Sequence, residues 1–264
     1  MVTMTYRTIA ACAAATIILT SCSSPESDHN TRLSETATTE PSRHRADSES
    51  LTHRWFAPEG IDLEALEVQV ARAFRESDNM FRSTGTLDAT YPGFPDLFRH
   101  GISSSTIAFP RVGTIDDHIF DVRPVRDTRG RTVTRIVICE DRSGVAEPTG
   151  NTWTVRETAI GVIVITVART TDAPASPPVD PTTRAAFPTW NVFDGWTVED
   201  SFGDHQDFDA VFSSSKPEDQ ELQERCLRDR PQLNPDADSG DVLTAAPVVE
   251  TPVPGWPIEI GEPN

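Results

Sequence analysis

Apolar positions fall into blocks whose spacing changes along the chain. Ile9 to Leu19 is an almost unbroken run of small and apolar residues. Residues 23–54 then carry almost only Ser, Thr, Glu, Asp, Arg, Pro and Asn. So little apolar surface predicts a flexible tether, spanning roughly 30 Å as a coil. From Asp62 to Phe81 the apolar residues Leu63, Leu66, Val70, Phe74 and Phe81 recur at helical spacing, with Asp62 placed as N-cap. Gly85 and the stretch Tyr91-Pro92-Gly93-Phe94-Pro95 stop that helix, and a second, short one is expected from Asp96 to His100.

Beyond Gly101 the pattern turns to strands. Thr106–Phe109 is short. Ile119–Val125 and Thr132–Glu140 flank Asp127-Thr128-Arg129-Gly130, a hairpin turn sequence. Trp153–Arg169 is the strongest strand, and its β-branched second half suits a central strand covered on both faces. Four prolines from Pro174 to Pro181 mark a loop. Trp190–Val192 and Trp196–Val198 surround Asp194-Gly195, which predicts a second hairpin or a bulge. Glu218–Arg228 is a short helix carrying Cys226, and the proline-rich segment after Ala245 is expected to be extended or disordered.

The apolar run near the start is too short for a stable membrane span and suits the core of a secretory signal, with Arg7 before it. It closes on Leu19-Thr20-Ser21-Cys22, which resembles the lipobox of bacterial lipoproteins: an aliphatic residue, two small ones, then Cys. The resemblance implies that residues 1–21 are a signal peptide, that Cys22 is diacylglycerylated and becomes the mature N-terminus, and that the protein sits on the outer face of the cytoplasmic membrane. The chain departs from the pattern in an n-region poor in positive charge and in Ser rather than Gly or Ala before the Cys. On this reading 22–54 is the lipidated tether, 55–232 the folded part and 233–264 an acidic, proline-rich tail.

One long helix, a short one and a run of strands predict an α+β domain: an N-terminal helix packed on a curved antiparallel sheet, helices on one face, with a disulfide-tied C-terminal helix. Over roughly residues 60–205 this element order resembles the nuclear-transport-factor-like or cystatin-like roll, shared with polyketide cyclases. The chain departs from it in lacking a helix between the first two strands and in adding the C-terminal helix. The resemblance implies a cone-shaped cavity between helix and sheet. In enzymes of that fold a carboxylate, His or Tyr in the cone does acid–base work.

Composition narrows the class of partner. The net charge is −18, and from Asp194 onward seventeen carboxylates face only Lys216, Arg225, Arg228 and Arg230. Such a chain repels phosphodiester backbones, which argues against nucleic acid as a partner and leaves membrane attachment to the lipid. Lys216 is the lone lysine among many arginines, a bias expected of a GC-rich bacterium. Of four cysteines, Cys12 leaves with the signal and Cys22 takes lipid, so Cys139 and Cys226 remain. They could form a disulfide, a metal pair or a reactive thiol. An oxidising compartment and the lack of nearby His ligands favour the disulfide, which over such a loop is worth about 4–5 kcal/mol.

Candidate chemistry is sparse. There is no G-x-S-x-G, H-E-x-x-H, P-loop or C-x-x-C. Asp116, Asp117 and His118 stand at a strand start and Glu157 enters the most apolar strand. Pushed into an apolar cavity, Asp117 or Glu157 would gain a raised pKa and act as general acid or base. The plainer reading puts Asp116 and Asp117 in a turn and Glu157 near solvent. His29, His44 and His53 lie in or beside the tether. Asn234-Pro235-Asp236-Ala237-Asp238 starts like a calcium loop, but the glycine is late at Gly240 and Ala245 replaces the bidentate Glu, so a solvated linker is expected. Arg123, Arg126, Arg129, Arg131 and Arg135 either receive an anion or form the solvated face of the hairpin, paired with Asp121 and Asp127. Pro254-Gly255-Trp256-Pro257 either offers a peptide to a partner or folds back to bury Trp256 and Ile258. No cofactor or metal is expected. The leading expectation is a non-enzymatic binding or docking domain for an envelope protein or a small apolar ligand; the alternative is an enzyme using the cone cavity.

Overall fold

A computed structural model describes residues 51–98, 109–127, 129–155, 160–170, 179–202, 217–229 and 240–259, all within the unit Pro41–Asn264. The elements are β1 (Leu51–Phe56), α1 (Leu66–Thr84), a 3-10 turn (Leu87–Ala89), α2 (Phe94–Phe98), β2 (Val112–Arg126), β3 (Thr132–Asp141), β4 (Val145–Thr149), β5 (Thr152–Val155), β6 (Ile160–Arg169), β7 (Val179–Ala185), β8 (Trp196–Phe202), α3 (Pro217–Asp229), β9 (Val242–Leu243) and β10 (Trp256–Glu259). The class is α+β, with a mainly antiparallel sheet. Eight strands run in the order β8-β6-β3-β2-β4-β5-β9 with β1 beside β2, and β7 and β10 form a separate pair.

Among the described residues the first element is a strand, so the long helix is not the first of them. β1 pairs parallel with β2, from Leu51 opposite Gly113 to Phe56 opposite His118. Leu51 through Arg54, assigned by composition to the tether, therefore belong to the sheet, and the sheet is not wholly antiparallel. The helical periodicity emerges second, as α1. Asp62 does not cap it: its carboxylate accepts from the Glu64 backbone N–H one turn earlier, and Ala65 occupies the N-cap without a side-chain bond. Gly85 ends α1 in the left-handed region at φ 71°, donating its N–H to the Phe81 carbonyl.

The two-residue period of the strands sorts the sheet's side chains. Ile136, Ile138, Ile163 and Ile165 turn toward α1, meeting Val70, Phe74, Met80 and Phe81. Val137, Cys139, Val162 and Val164 turn the other way, meeting Leu222 and Cys226 of α3. The helices thus cover opposite faces rather than one. Cys139 and Cys226 form a disulfide across that second layer, with their Cα atoms 5.4 Å apart.

Several loop assignments shift. Asp116 and Asp117 lie inside β2, not in a turn before it. Trp153–Arg169 divides between β5 and β6, with residues 156–159 outside the described set. Asp194-Gly195 closes a turn that buries Phe193 and leads into β8, which pairs with β6 rather than forming a second hairpin. The C-terminal segment is part of the fold. Leu243 pairs with Trp153, Val253 lies beside Arg54, and Trp256 pairs with Ala185. The connection between β3 and β4 is tight: a Cβ on Gly113, at φ 132°, would sit 2.0 Å from the Gly144 carbonyl oxygen. Only glycine fits there, and this approach shapes one end of the cleft described next.

Candidate functional site

The register of β2 against β3 sets Asp116 opposite Asp141 and Asp117 opposite Glu140. Like charges directly opposite one another are unfavourable unless something compensates them. Because successive side chains alternate, the two pairs face opposite ways and are compensated separately.

Asp117 and Glu140 turn under α1 into a sealed polar cluster. His53 Nδ1 lies 2.7 Å from Asp117 Oδ2, with His53 4% and Asp117 0% exposed. Arg75 grips Glu140 with two donors, Nε at 2.6 Å and NH2 at 3.0 Å, and gives a third to Asp78 at 2.8 Å. Arg142 Nε donates to Glu140 Oε1, the oxygen that also accepts from Arg75 NH2. The amide of Asn79 lies between His53, Glu140 and Arg142 at 3.4–3.5 Å. One turn up α1, the Glu76 carboxylate accepts from Trp55 Nε1 at 2.8 Å, from Trp256 Nε1 at 3.0 Å and from the Tyr91 hydroxyl. Burial, then the Glu76 charge, push Tyr91 well above its ordinary pKa, so it stays the donor.

These buried side chains pack between α1 and strands β1, β2 and β3. Of Asp117 and Glu157, the two residues expected to act as general acid or base, Asp117 is described and is sealed from solvent. Glu157 lies outside the described residues, as do Cys22 and the Asn234–Asp238 stretch. His53, placed in the tether by composition, is the partner of Asp117; the alternation of Leu51, His53 and Trp55 with polar neighbours was the available signal. Among the described residues no group of acidic, His or Cys side chains has the arrangement of a metal site.

Titration of this cluster has a definite sign. Burial disfavours charge on His53, but Asp117 and then Glu76 and Glu140 outweigh it and raise its pKa. Burial raises Asp117 to about 6 against the pull of His53. For Glu140, burial is overcome by Arg142 and Arg75, which hold it well below the usual carboxylate range. The folded His53–Asp117 pair therefore binds protons that the unfolded chain releases. That stabilisation is present at mildly acid pH and is lost as pH rises through about 6 and beyond the His53 value. Glu140 contributes in the opposite sense, with stability lost only as pH falls below the ordinary Glu value. The melting temperature is expected to fall between pH 6 and pH 8, and to fall less in His53→Gln/Asp117→Asn. Parallel circular-dichroism melting profiles for the two proteins would refute the assignment, since the general acidity of the chain is common to both.

Asp116 and Asp141 turn the other way, into an open cleft of about 300 Å³. Its polar lining is Arg54, Thr114, Asp116, Asp141, Ser143 and Glu250, and its apolar wall is Val155, Leu243, Pro247 and Val248. β1 and β2 form the floor, and residues 244–252 cross it as a strap. Arg54 binds Asp116 with two donors at 2.7 and 2.6 Å and pairs with Glu250 of the strap. The Thr114 hydroxyl accepts from the Glu250 N–H at 2.9 Å and donates to the Val248 carbonyl at 3.3 Å. Asp141 Oδ1 accepts from the Ser143 N–H at 2.7 Å, which fixes the bend after β3. Beside the cleft, His118 stacks on Phe56 at 4.8 Å, and burial lowers its pKa so that it is neutral at pH 7.

The hairpin arginines match the solvated-face reading. Arg123 is paired with Asp121 at 3.2 Å with a side chain 59% exposed, and Arg131 with Asp127 at 2.8 Å. Trp256 folds back and is buried, which settles the choice left open by Pro254–Pro257. Comparison with protein-family models, with curated proteins and with solved structures gives no match to this chain.

Proposed function

We propose that this protein is a lipid-anchored, non-enzymatic binding domain of a bacterial cell envelope. Cys22 holds it at the outer face of the cytoplasmic membrane, and the cleft between β1, β2 and the C-terminal strap receives a small ligand. The observation that carries the binding role is a division of labour across one pair of strands. His53, Asp117 and Glu140 are sealed from solvent on one face, while the opposite face opens a cleft of about 300 Å³, at the small end of ligand-site volumes. Its mixture of an apolar wall with a few convergent polar groups is what a small-molecule site needs.

The anchor rests on Leu19-Thr20-Ser21-Cys22 and the apolar run before it. No helix among the described residues is long and apolar enough to cross a membrane. The finer fold reading, a nuclear-transport-factor-like or cystatin-like roll, takes its support from α1 packed across β3 and β6. Its cone would here be closed by the polar cluster, and ligand recognition displaced to the opposite face.

Two measurements test the proposal. Cys22→Ala is expected to release the protein into the medium or to leave the precursor uncleaved; membrane retention of a processed form would refute the anchor. Native mass spectrometry of the chain gently extracted from its envelope is expected to show a residual mass of small-molecule size that is lost on denaturation. A residual mass of protein size would instead favour docking, for which the exposed valines Val248 and Val253 of the C-terminal segment offer a surface.

A further inference from the structure

We infer that residues 244–252 are a gate on the cleft: a strap fixed at both ends and latched in the middle by Thr114 and Arg54, which opens while the rest of the fold stays closed. As a gate for a ligand it rests on reading the cleft as a ligand site; as a moving part it does not.

The ends are held by structure that a local movement leaves intact. At one end Leu243 pairs with Trp153, and the Asp241 carbonyl accepts from the Val155 N–H at 2.9 Å. At the other the Val253 carbonyl accepts from the Trp55 N–H, and Trp256 is buried. Gly255 packs so closely on β7 that a Cβ there would sit 2.8 Å from the Ala185 carbonyl oxygen.

The stretch between them is different. Val248 is 76% and Val249 38% exposed, and Thr244, Ala245, Ala246 and Thr251 are exposed as well. Little apolar burial therefore holds the strap down, which is the mark of segments that open locally. Its ties to β1 and β2 are polar. The Thr114 hydroxyl accepts from the Glu250 N–H and donates to the Val248 carbonyl, and Arg54 pairs with the Glu250 carboxylate.

These ties release without stranding a buried group. On opening, Arg54 keeps both donors on Asp116, at 2.7 and 2.6 Å. The Thr114 hydroxyl keeps the Thr52 hydroxyl at 3.3 Å. The Val248 carbonyl and the Glu250 carboxylate, whose side chain is already 49% exposed, pass to water. The main cost of breaking a polar contact, a donor or acceptor left unsatisfied in the interior, is thus absent. An open state populated on the order of one per cent is expected. Opening removes Pro247, Val248 and Glu250 from the lining and leaves Thr114, Asp116 and Ser143 in place, so the cleft widens from the strap side.

The test uses the purified, isotope-labelled full-length chain and follows amide hydrogen exchange by NMR. The Glu250 N–H reports the latch, the Trp55 N–H a fixed end, and the amides of β3 the core. Glu250 is expected to exchange at least about tenfold faster than Trp55, at a rate that low urea barely changes, because a local opening exposes little surface. Glu250→Gln loses an exposed ion pair but keeps the backbone bond to Thr114. It should speed exchange at position 250 about two- to threefold, corrected for intrinsic rate, with Trp55 and β3 unchanged. Access is read separately by the rate at which N-ethylmaleimide alkylates Ser143→Cys, located by peptide mapping; Ser143 lines the cleft and is 8% exposed. Added to that background, Glu250→Gln should raise the alkylation rate by the same factor as exchange. Thr114→Val, which removes both latch hydrogen bonds, should raise it on the order of tenfold.

Exchange of Glu250 together with Trp55, with the same urea dependence, would show that the strap belongs to the cooperative fold and would overturn the inference. Alkylation unchanged by either variant would overturn the gate, since the strap would then move without controlling the cleft. If Thr114→Val also loosens β3, Glu250→Gln on the exposed strap still decides the matter. Both rates responding as expected, with no small residual mass in native mass spectrometry, would leave the moving strap standing and remove the ligand role proposed for the cleft.

Discussion

Replacing Trp256 by Ala is expected to destabilise the fold by about 3–5 kcal/mol, the range for removing a fully buried large aromatic side chain. Trp256 is 1% exposed although it lies near the end of the chain. Its ring meets Tyr91 at 5.7 Å and Trp190 at 6.3 Å, both near edge-on. The Arg72 guanidinium sits over it at 4.6 Å and donates to the Pro254 carbonyl at 2.8 Å, so the segment is held by stacking and by a charge-assisted hydrogen bond. Its indole N–H is one of three donors to Glu76. The alanine variant therefore opens a cavity and leaves a buried carboxylate short of a donor. Trp256→Phe keeps most of the packing and loses only the donor, so about 1–3 kcal/mol is expected. Urea denaturation of the two variants separates the terms. A cost below about 1 kcal/mol for Trp256→Ala would mean that the terminal segment is an appendage.

How far the sequence foretold this is uneven, and the unevenness has physical causes. The β2–β3 hairpin, the helix carrying Cys226 and the periodic helix α1 were legible, because turn chemistry and apolar spacing act locally. β1 was not. Leu51-Thr52-His53-Arg54-Trp55-Phe56 follows a long polar run, and the direction of His53 is fixed only by pairing with β2, sixty residues away in the chain. The polar face of α1 gave no sign of its burial either. Arg72, Arg75, Glu76 and Asp78 have the pattern of a solvated face, yet all are buried because β1 and the C-terminal segment close over them. Prolines in the tail exclude helix and interior strand, but they do not prevent an extended segment from burying a Trp. Asp117 stood out in the sequence, and so did Asp116; that one would be sealed and the other would face a cleft follows from strand alternation, once both are known to lie inside β2.

Replacing Glu140 by Gln is expected to cost about 3–5 kcal/mol, because it removes the buried carboxylate at which two buried guanidiniums direct donors. Arg75 and Arg142 both direct donors at this carboxylate, and all three side chains are at most 2% exposed. Removing Arg142 instead leaves Glu140 its two bonds from Arg75, so Arg142→Met is expected to cost less, about 1–3 kcal/mol. The double variant Glu140→Gln/Arg142→Met should then be more stable than the sum of the single effects, since both changes act on the same buried contact. Strict additivity in urea denaturation would show that the groups act independently and that the cluster is not one electrostatic unit. The predicted coupling also says why a protein would keep so many charges in its core. Asp117 and Glu140 are set side by side by the register of β2 on β3, and a slip of β3 by one residue would turn Glu140 to the other face, away from Arg75 of α1. The contacts of Arg75 and Arg142 with Glu140 thereby favour the observed register, in which Asp141 lies on the open face beside Asp116.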